Sequence, residues 1–141
     1  MKKHSIAVSI LLGLFLLAAA APGQAQQSLR VKIPFDFVAN QTALPAGEYL
    51  VQPSGLASPA LIVKRTDGGK PAVATMMSQS VDANGGKHES CLVFRVYGDR
   101  YFLSEMWIGG SVSGRQFPIS RIEKELAKNE TSHEVILLAK H

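Results

Sequence analysis

The sequence predicts an all-β domain, either a mainly antiparallel β-sandwich or a small β-barrel, with one short helix near its C-terminal end. Apolar and polar residues alternate in several short segments, as in half-buried strands. Turns that contain glycine or proline separate these segments at short intervals. Only the segment that follows Ser120 combines a helix start signal with helical spacing.

The first residues predict a cleavable export leader. Lys2 and Lys3 precede an apolar run that extends from residue 6 to residue 21. A membrane-spanning helix needs about 20 apolar residues, so a signal peptide explains this shorter run better than a membrane anchor does. An uncleaved anchor is the alternative explanation.

Small residues favour cleavage shortly after the apolar run. Gly23 and Ala25 stand three positions and one position before the cut, which we place just ahead of Gln26. We therefore expect residues 1–25 to be a signal peptide and residues 26–141 to be a single β-rich domain. Such a domain acts in the periplasm or outside the cell, with no stable membrane span after cleavage.

Charge and cysteine content exclude several classes of function. Lys2 and Lys3 leave with the leader, which lowers the formal net charge from +4 to +2. The remaining charges are spread along the chain, which argues against a nucleic-acid partner. Cys91 is the only cysteine, so the domain must fold without an internal disulfide. We expect no cofactor.

The first half of the domain predicts four strands. Residues from Leu29 to Val38 alternate in polarity and predict the first strand, in which Pro34 marks an edge or a bulge because it has no N–H to donate. The other strands of this half are predicted at residues 49–52, 60–65 and 72–79. Residues 40–47 and 80–90 are predicted to be loops.

Residues 91–97 and 100–108 predict a β-hairpin at the centre of the domain. Gly98-Asp99 is a two-residue link with glycine first, as a type II′ turn requires, and such a link fixes the register. This register predicts a common face for Leu92, Phe94, Val96, Tyr101, Leu103, Glu105 and Trp107. The opposite face then carries Cys91, Val93, Arg95, Tyr97, Arg100, Phe102, Ser104 and Met106.

The C-terminal part predicts a loop, the helix and a final strand. Residues 109–116 are rich in glycine and serine and predict a loop. Ser120 and Glu123 have the spacing of a capping box, which predicts a short helix. The apolar residues 135–139 predict a last, well-buried strand, the seventh of the domain.

Three segments of this chain resemble a known group of proteins. They are Pro34-Phe35-Asp36-Phe37, Leu44-Pro45-Ala46-Gly47-Glu48-Tyr49 and Tyr97-Gly98-Asp99-Arg100-Tyr101-Phe102-Leu103. Together they resemble a family of small exported bacterial β-proteins, of the acidobacterial type, that are generally labelled uncharacterised. The resemblance covers about residues 29–128. It implies a free-standing secreted domain in a bacterium with an outer membrane, and it implies neither an activity nor site residues.

Glu105 is the strongest candidate for a functional residue. The predicted register puts its carboxylate on an otherwise apolar face, where a charge needs a partner or a position at the rim. One explanation is an ion pair with Arg95, Arg100 or Arg115. The other is a functional acid that lies in a pocket.

Trp107 and Tyr101 share the predicted face of Glu105. Such aromatic side chains usually belong to the core. The alternative is a flat platform that binds sugar rings or another apolar partner. Glu105, Trp107 and Tyr101 are therefore the candidate ligand-binding residues.

The sequence contains no convincing catalytic or metal-binding constellation. His88 stands three residues before Cys91, but no third group that would orient the histidine is evident, and a thiol in an apolar strand behaves as a small core group. His88, His133 and His141 are far apart, so we expect no metal site.

Three hypotheses about function follow. The leading one is a non-enzymatic secreted or periplasmic domain that binds a ligand or is a structural component of the envelope. The alternative is a small enzyme that uses Glu105 or Asp36 in a barrel or sandwich pocket. A third is a homo-oligomer formed through an edge strand, predicted at Pro34.

Overall fold

The structure, a computed structural model, describes residues 28–55, 57–84 and 89–139. These residues form eleven strands and one helix. In chain order the elements are β1 (Leu29–Ile33), β2 (Phe37–Ala39), β3 (Thr42–Leu44), β4 (Gly47–Pro53), β5 (Ala60–Arg65), β6 (Val73–Met77), β7 (Gln79–Asp82), β8 (Cys91–Tyr97), β9 (Arg100–Trp107), β10 (Ser113–Gln116), α1 (Arg121–Ala127) and β11 (His133–Leu138). The predicted mostly β fold with one short helix is confirmed. The predicted leader, His88 and His141 lie outside the described residues.

The strands form two sheets. The four-stranded sheet has the order β1-β4-β5-β6 and is antiparallel throughout. The seven-stranded sheet has the order β11-β8-β9-β10-β7, and the β2–β3 hairpin joins it through a parallel pairing of β2 with β9. In the described part of the chain neither sheet closes on itself, so the predicted barrel alternative is wrong. No helix in these residues has the length and hydrophobicity needed to cross a bilayer.

Both sheets contribute to one hydrophobic core. The four-stranded sheet supplies Leu29, Val31, Tyr49, Val51, Leu61 and Val63, and the seven-stranded sheet supplies Phe37, Leu92, Phe94, Leu103 and Met106. Full burial of a large apolar side chain stabilises a fold by roughly 1.5–3 kcal/mol. Because buried residues of both sheets pack together in this core, we call the face of each sheet that points toward the other sheet its inner face.

Pro34 divides the first predicted strand in two. The single strand predicted from Leu29 to Val38 is wrong, because the chain leaves the four-stranded sheet at Pro34 and enters the seven-stranded sheet at Phe37. Proline has no N–H to donate, so the pairing of β1 ends there. The predicted edge position is confirmed, since β1 lies at the edge of its sheet.

Three short strands lie where the sequence predicts loops. They are β3 within residues 40–47, β10 within residues 109–116 and most of β7 within residues 80–90. Each has three or four residues, too few for a clear alternation of polarity. Pairing with neighbouring strands, which a single segment does not reveal, makes them strands.

The β8–β9 hairpin follows the predicted register near its turn. Gly98 has a φ of +62°, as the first position of a type II′ turn requires. Tyr97 pairs with Arg100 across this turn. Both strands lie inside the seven-stranded sheet, which confirms the predicted central position of the hairpin.

The predicted register fails at Ser104. Phe94 pairs with Leu103, but Val93 pairs with Glu105, so Ser104 is an extra residue that forms a β-bulge. Side chains alternate between the two faces of a strand, and one extra residue therefore moves every later side chain of β9 to the opposite face. The predicted common face for Tyr101, Glu105 and Trp107 is wrong for this reason.

Polar contacts close one end of the two-sheet core. Asp36 accepts a hydrogen bond from the Ala46 N–H at 3.0 Å. The hydroxyl of the buried Tyr49 donates to the Pro45 carbonyl oxygen at 2.6 Å. The first two segments that carry the family resemblance are therefore joined to each other by structural contacts.

The β5–β6 turn at the same end is held by Asp67. Arg65 donates to its carboxylate at 2.6 Å, and the N–H groups of Gly69 and Glu48 donate at 3.0 and 3.2 Å. The hydrogen bond from Arg65, followed by that from Gly69, lowers the pKa of Asp67 to about 2. Gly47 leaves the necessary space, because a Cβ there would lie 2.7 Å from the carboxylate.

The helix α1 covers part of the outer face of the seven-stranded sheet. The Ser120 hydroxyl accepts from the Glu123 N–H at 3.2 Å, which confirms the predicted helix start. Ile122 and Leu126 pack against an outer cluster that comprises Val38, Tyr97 and Phe102. The helix therefore shields the part of this face that carries these residues.

The last strand is an edge strand and is poorly buried. Among the described strands, β11 pairs with β8 alone. Ile136 and Leu138 are 59% and 63% exposed. The strand predicted at residues 135–139 exists, but its predicted burial is wrong, because an apolar composition does not by itself place a strand inside a sheet.

Candidate functional site

The bulge at Ser104 separates the three predicted ligand-binding residues. Glu105 and Trp107 lie on the outer face of the seven-stranded sheet, whereas Tyr101 lies on the inner face. Tyr101 stacks on Phe35, with ring centroids 3.8 Å apart and ring planes 18° apart. Trp107 and Tyr101 therefore form no common platform, and a role of the three residues in ligand binding stays a prediction.

Glu105 is held by the neighbouring indole. The Nε1–H group of Trp107 donates to its carboxylate at 2.8 Å. No ion pair within the described residues includes Glu105, so the predicted pairing with Arg95, Arg100 or Arg115 is wrong. Its half-buried position lets water and this N–H group share the solvation of the charge.

Trp107 belongs to a small apolar cluster on the outer face. It is 4% exposed and packs with Cys91 and Val93. A Cβ at Gly114, on the neighbouring strand β10, would lie 2.6 Å from the indole ring. Glycine at this position therefore lets the indole approach the backbone of β10, and the ring has almost no surface left for a ligand.

Cys91 is a buried thiol, as predicted. Burial, followed by the charges of Glu105 and Glu89, raises its pKa. A thiol whose pKa is raised carries little thiolate at neutral pH, and the thiolate is the nucleophilic form. Cys91 therefore contributes to packing rather than to covalent chemistry.

The remaining predicted candidates lie apart from one another. Asp36 is exposed and, as described above, accepts a hydrogen bond from the Ala46 N–H. His133 is exposed at the start of β11. Within residues 28–55, 57–84 and 89–139, no three His, Cys, Asp or Glu side chains lie close enough together to hold a metal ion.

Sequence reasoning missed Glu123, the only buried carboxylate of the described residues. It is 2% exposed and accepts hydrogen bonds from Arg95 Nε at 3.0 Å and from the Tyr97 hydroxyl at 3.4 Å. The capping-box pattern assigned its side chain to the helix start, whereas it reaches the sheet. The available signal was Arg95, a cation between apolar residues of a central strand, which needs an anionic partner.

The strand register places side chains in rows across the outer face. From β11 to β7, the first row consists of Leu138, Cys91, Trp107, Gly114 and Val81. The second row consists of Ile136, Val93, Glu105, Gln116 and Gln79. Both rows begin with an exposed apolar residue on β11 and become buried at β8. The apolar part of this face therefore extends to the free edge of the sheet.

Strand β11 also presents backbone groups that pair with no other residue of the described ranges. The Ala139 N–H donates to the Ser90 carbonyl oxygen at 2.8 Å. In an antiparallel pair, the backbone groups of alternate residues point toward the same neighbour. Odd-numbered residues of β11 therefore point toward β8, and the N–H and C=O groups of Glu134, Ile136 and Leu138 point away from the sheet.

This free edge has few of the features that usually prevent pairing, and its one carboxylate is Glu134. Its six residues include no lysine, arginine or proline, which are the residues that most often protect edge strands. The combination of apolar side chains and unpaired backbone groups makes β11 the candidate functional site.

Comparisons with known proteins give no relative for this chain: no family model, no curated protein and no solved structure matches it. The resemblance to small exported bacterial proteins therefore stays a prediction.

Proposed function

We propose that this chain is an exported, non-enzymatic structural domain that assembles by pairing β11 of one copy with β11 of a second copy. The observation that carries the proposal is the free edge of β11, whose outward residues Ile136 and Leu138 are more than half exposed. The proposal keeps the predicted export and envelope association. It moves the predicted oligomerisation edge from the Pro34 strand to β11.

The free backbone groups define a symmetric register for this pairing. If Ile136 lies opposite the same residue of the second copy, Glu134 of each copy lies opposite Leu138 of the other. Every outward N–H and C=O group of these three residues then has a partner. The two Glu134 carboxylates stay apart, which avoids like-charge repulsion. An interface of this symmetric kind closes at two copies.

The other edge strands are less suited to such pairing. Strand β6 lies against β2 and β3, which partly cover it. Strand β7 has four residues, of which Val81 alone is apolar. Short or covered edges resist pairing with another chain. The edge strand β1 carries exposed charges, Arg30 and Lys32.

Light scattering of the chain without its predicted leader tests the proposal. We expect a dimer for the unchanged domain. Ile136→Lys should give a monomer, because it places two like charges opposite each other at the centre of the interface. Val73→Lys is the matched control, since Val73 is 58% exposed on the edge strand β6, and this variant should remain a dimer.

Two results contradict the proposal. One is a monomeric unchanged domain at every concentration studied, and the other is a dimer that survives Ile136→Lys. The predicted alternative, an enzyme that uses Glu105 or Asp36, gains no support from the geometry, because each carboxylate accepts a structural hydrogen bond.

A further inference from the structure

A cleft lies on the inner side of the seven-stranded sheet, three strands away from β11. Its volume is about 230 Å³. Strand β10 lies between β9 and β7, and Arg115 pairs with Met106 on one side and Ser80 on the other. The lining combines apolar side chains, Leu61, Met106 and Ile108, with polar ones that include Ser80, Ser113 and Arg115.

Arg115 has an unusual position among the half-buried arginines. Arg65 and Arg95 each bind a carboxylate, at 2.6 and 3.0 Å. Arg115 is also half-buried, but no ion pair or side-chain hydrogen bond joins it to another residue of the described ranges. A guanidinium in a cleft of this kind is suited to bind a carboxylate through two parallel hydrogen bonds.

The surroundings of Arg115 limit the kind of anion. Asp82 lies opposite Ser113 on β7, on the same face of the sheet as Arg115, so its negative charge disfavours anions with more than one charge. Ile108 is half-buried and offers apolar surface to a hydrocarbon chain, whereas Leu61 and Met106 line the cleft but are only 1% and 2% exposed. Pockets for drug-sized ligands have volumes of about 300–1,000 Å³. This cleft is smaller, which restricts the ligand to a small molecule.

We propose that this cleft binds a small aliphatic monocarboxylate. Its carboxylate pairs with Arg115, and its short chain lies on Ile108, next to the small exposed parts of Leu61 and Met106. The hydroxyls of Ser80 and Ser113 make no hydrogen bond to another described residue, so both are available to donate to the carboxylate. This site is separate from β11, and it adds a ligand to a domain whose proposed function is assembly.

Titration with hexanoate, followed by the amide signals in a two-dimensional NMR spectrum, tests this site. We expect saturable shifts at Ser80, Ser113 and Arg115. Hexanamide has the same chain without the charge. It should bind at least about tenfold more weakly than hexanoate, since hydrogen bonds to charged groups contribute more than those between neutral groups. Inorganic phosphate should not shift these signals when it is added at the concentration at which hexanoate saturates the site.

Two variants and a matched control locate the binding. Arg115→Gln should weaken hexanoate binding by about tenfold or more. Ser80→Leu, on the exposed strand β7, should also weaken binding because it narrows the cleft without removing the charge. Arg121→Gln removes an exposed arginine from α1 and should leave binding unchanged.

The proposal is overturned if hexanoate shifts none of these amides or if hexanamide or phosphate binds as tightly. It is equally overturned if Arg115→Gln or Ser80→Leu binds hexanoate like the unchanged domain, or if Arg121→Gln weakens binding as much as they do. Ile136→Lys should bind hexanoate normally, so failure of the cleft and failure of the β11 interface are distinguishable.

Discussion

Strands β1 and β11 are edge strands, one from each sheet, and they contact each other. The two strands differ in the residue types that they expose. Strand β1 exposes Arg30 and Lys32 and is followed by Pro34. Strand β11 exposes Ile136 and Leu138 beside a single carboxylate, Glu134. Charges and proline oppose pairing with another chain, whereas apolar residues favour it. Of these two neighbouring edges, one is therefore protected and the other is left available to a partner.

The largest expected effect comes from removing the protection of β1. Arg30→Val combined with Lys32→Val gives each copy a second adhesive edge, so we expect assemblies larger than a dimer in sedimentation velocity. Lys64→Val, on the interior strand β5 of the same sheet, removes a comparable charge and should leave the dimer unchanged. A double variant that stays dimeric would show that these charges do not protect the edge.

A smaller effect is expected where α1 shields the sheet that carries β11. Glu123→Ala leaves Arg95 without its partner, and breaking a buried ion pair costs about 3–5 kcal/mol. Because Arg95 is still partly exposed, we expect a loss of about 3 kcal/mol in the free energy of unfolding, measured with urea, while dimerisation of the folded protein persists.

Glu125→Ala is the control for this variant. Glu125 of the same helix forms an exposed pair with Lys128, the residue that follows the helix, and such pairs contribute at most about 1 kcal/mol. If the free energy of unfolding falls equally in the two variants, the buried contact between Glu123 and Arg95 stabilises the fold no more than an exposed ion pair does.

Tyr49→Phe tests the four-stranded sheet next to β1, since Tyr49 pairs with Val31 of that strand. The variant loses the hydrogen bond to the Pro45 carbonyl oxygen. We expect the free energy of unfolding, measured with urea, to fall by about 1 kcal/mol, with no change in assembly. Tyr101→Phe removes a hydroxyl that has no hydrogen bond within the described residues and should change stability less. A larger loss of stability in Tyr101→Phe than in Tyr49→Phe would contradict the stabilising role of the hydrogen bond between Tyr49 and Pro45.

The smallest effect concerns Asp67, which is exposed. Its pKa is about 2 in the folded protein and 3.8 as the ordinary value. A lowered folded-state pKa means that the stabilisation is complete above pH 3.8 and is lost as the pH falls through about 2. Thermal unfolding between pH 5 and pH 2 should therefore depend less on pH in Asp67→Asn. An identical pH profile in both proteins would show that the carboxylate is not held by Arg65.

The sequence predicts well those elements whose evidence is local. Residues 60–65 and 91–97 are strands as predicted, because each is a short apolar run bounded by turn residues. The helix start is also local, since Ser120 caps its own helix. The edge position of β1 follows from a single property of proline, its missing N–H.

The features that sequence reasoning misses depend on distant neighbours. The bulge at Ser104 accompanies a change of partners along β9, which pairs with β2 near its start and with β10 near its end. The Phe117 N–H also donates to the Ser104 carbonyl oxygen. No local pattern records such partners, and the predicted face of Glu105 and Trp107 was therefore wrong. The exposure of Ile136 likewise depends on which strand, if any, follows β11 in the sheet.

Amide hydrogen exchange along β11, measured over a range of protein concentrations, tests the proposed assembly most directly. The amides of Val135 and Leu137 point toward β8 and should be protected at every concentration. We expect the Ile136 amide to be protected only at concentrations where the dimer forms, and to exchange rapidly after dilution. Rapid exchange of the Ile136 amide in a solution that light scattering shows to be dimeric would contradict pairing through β11.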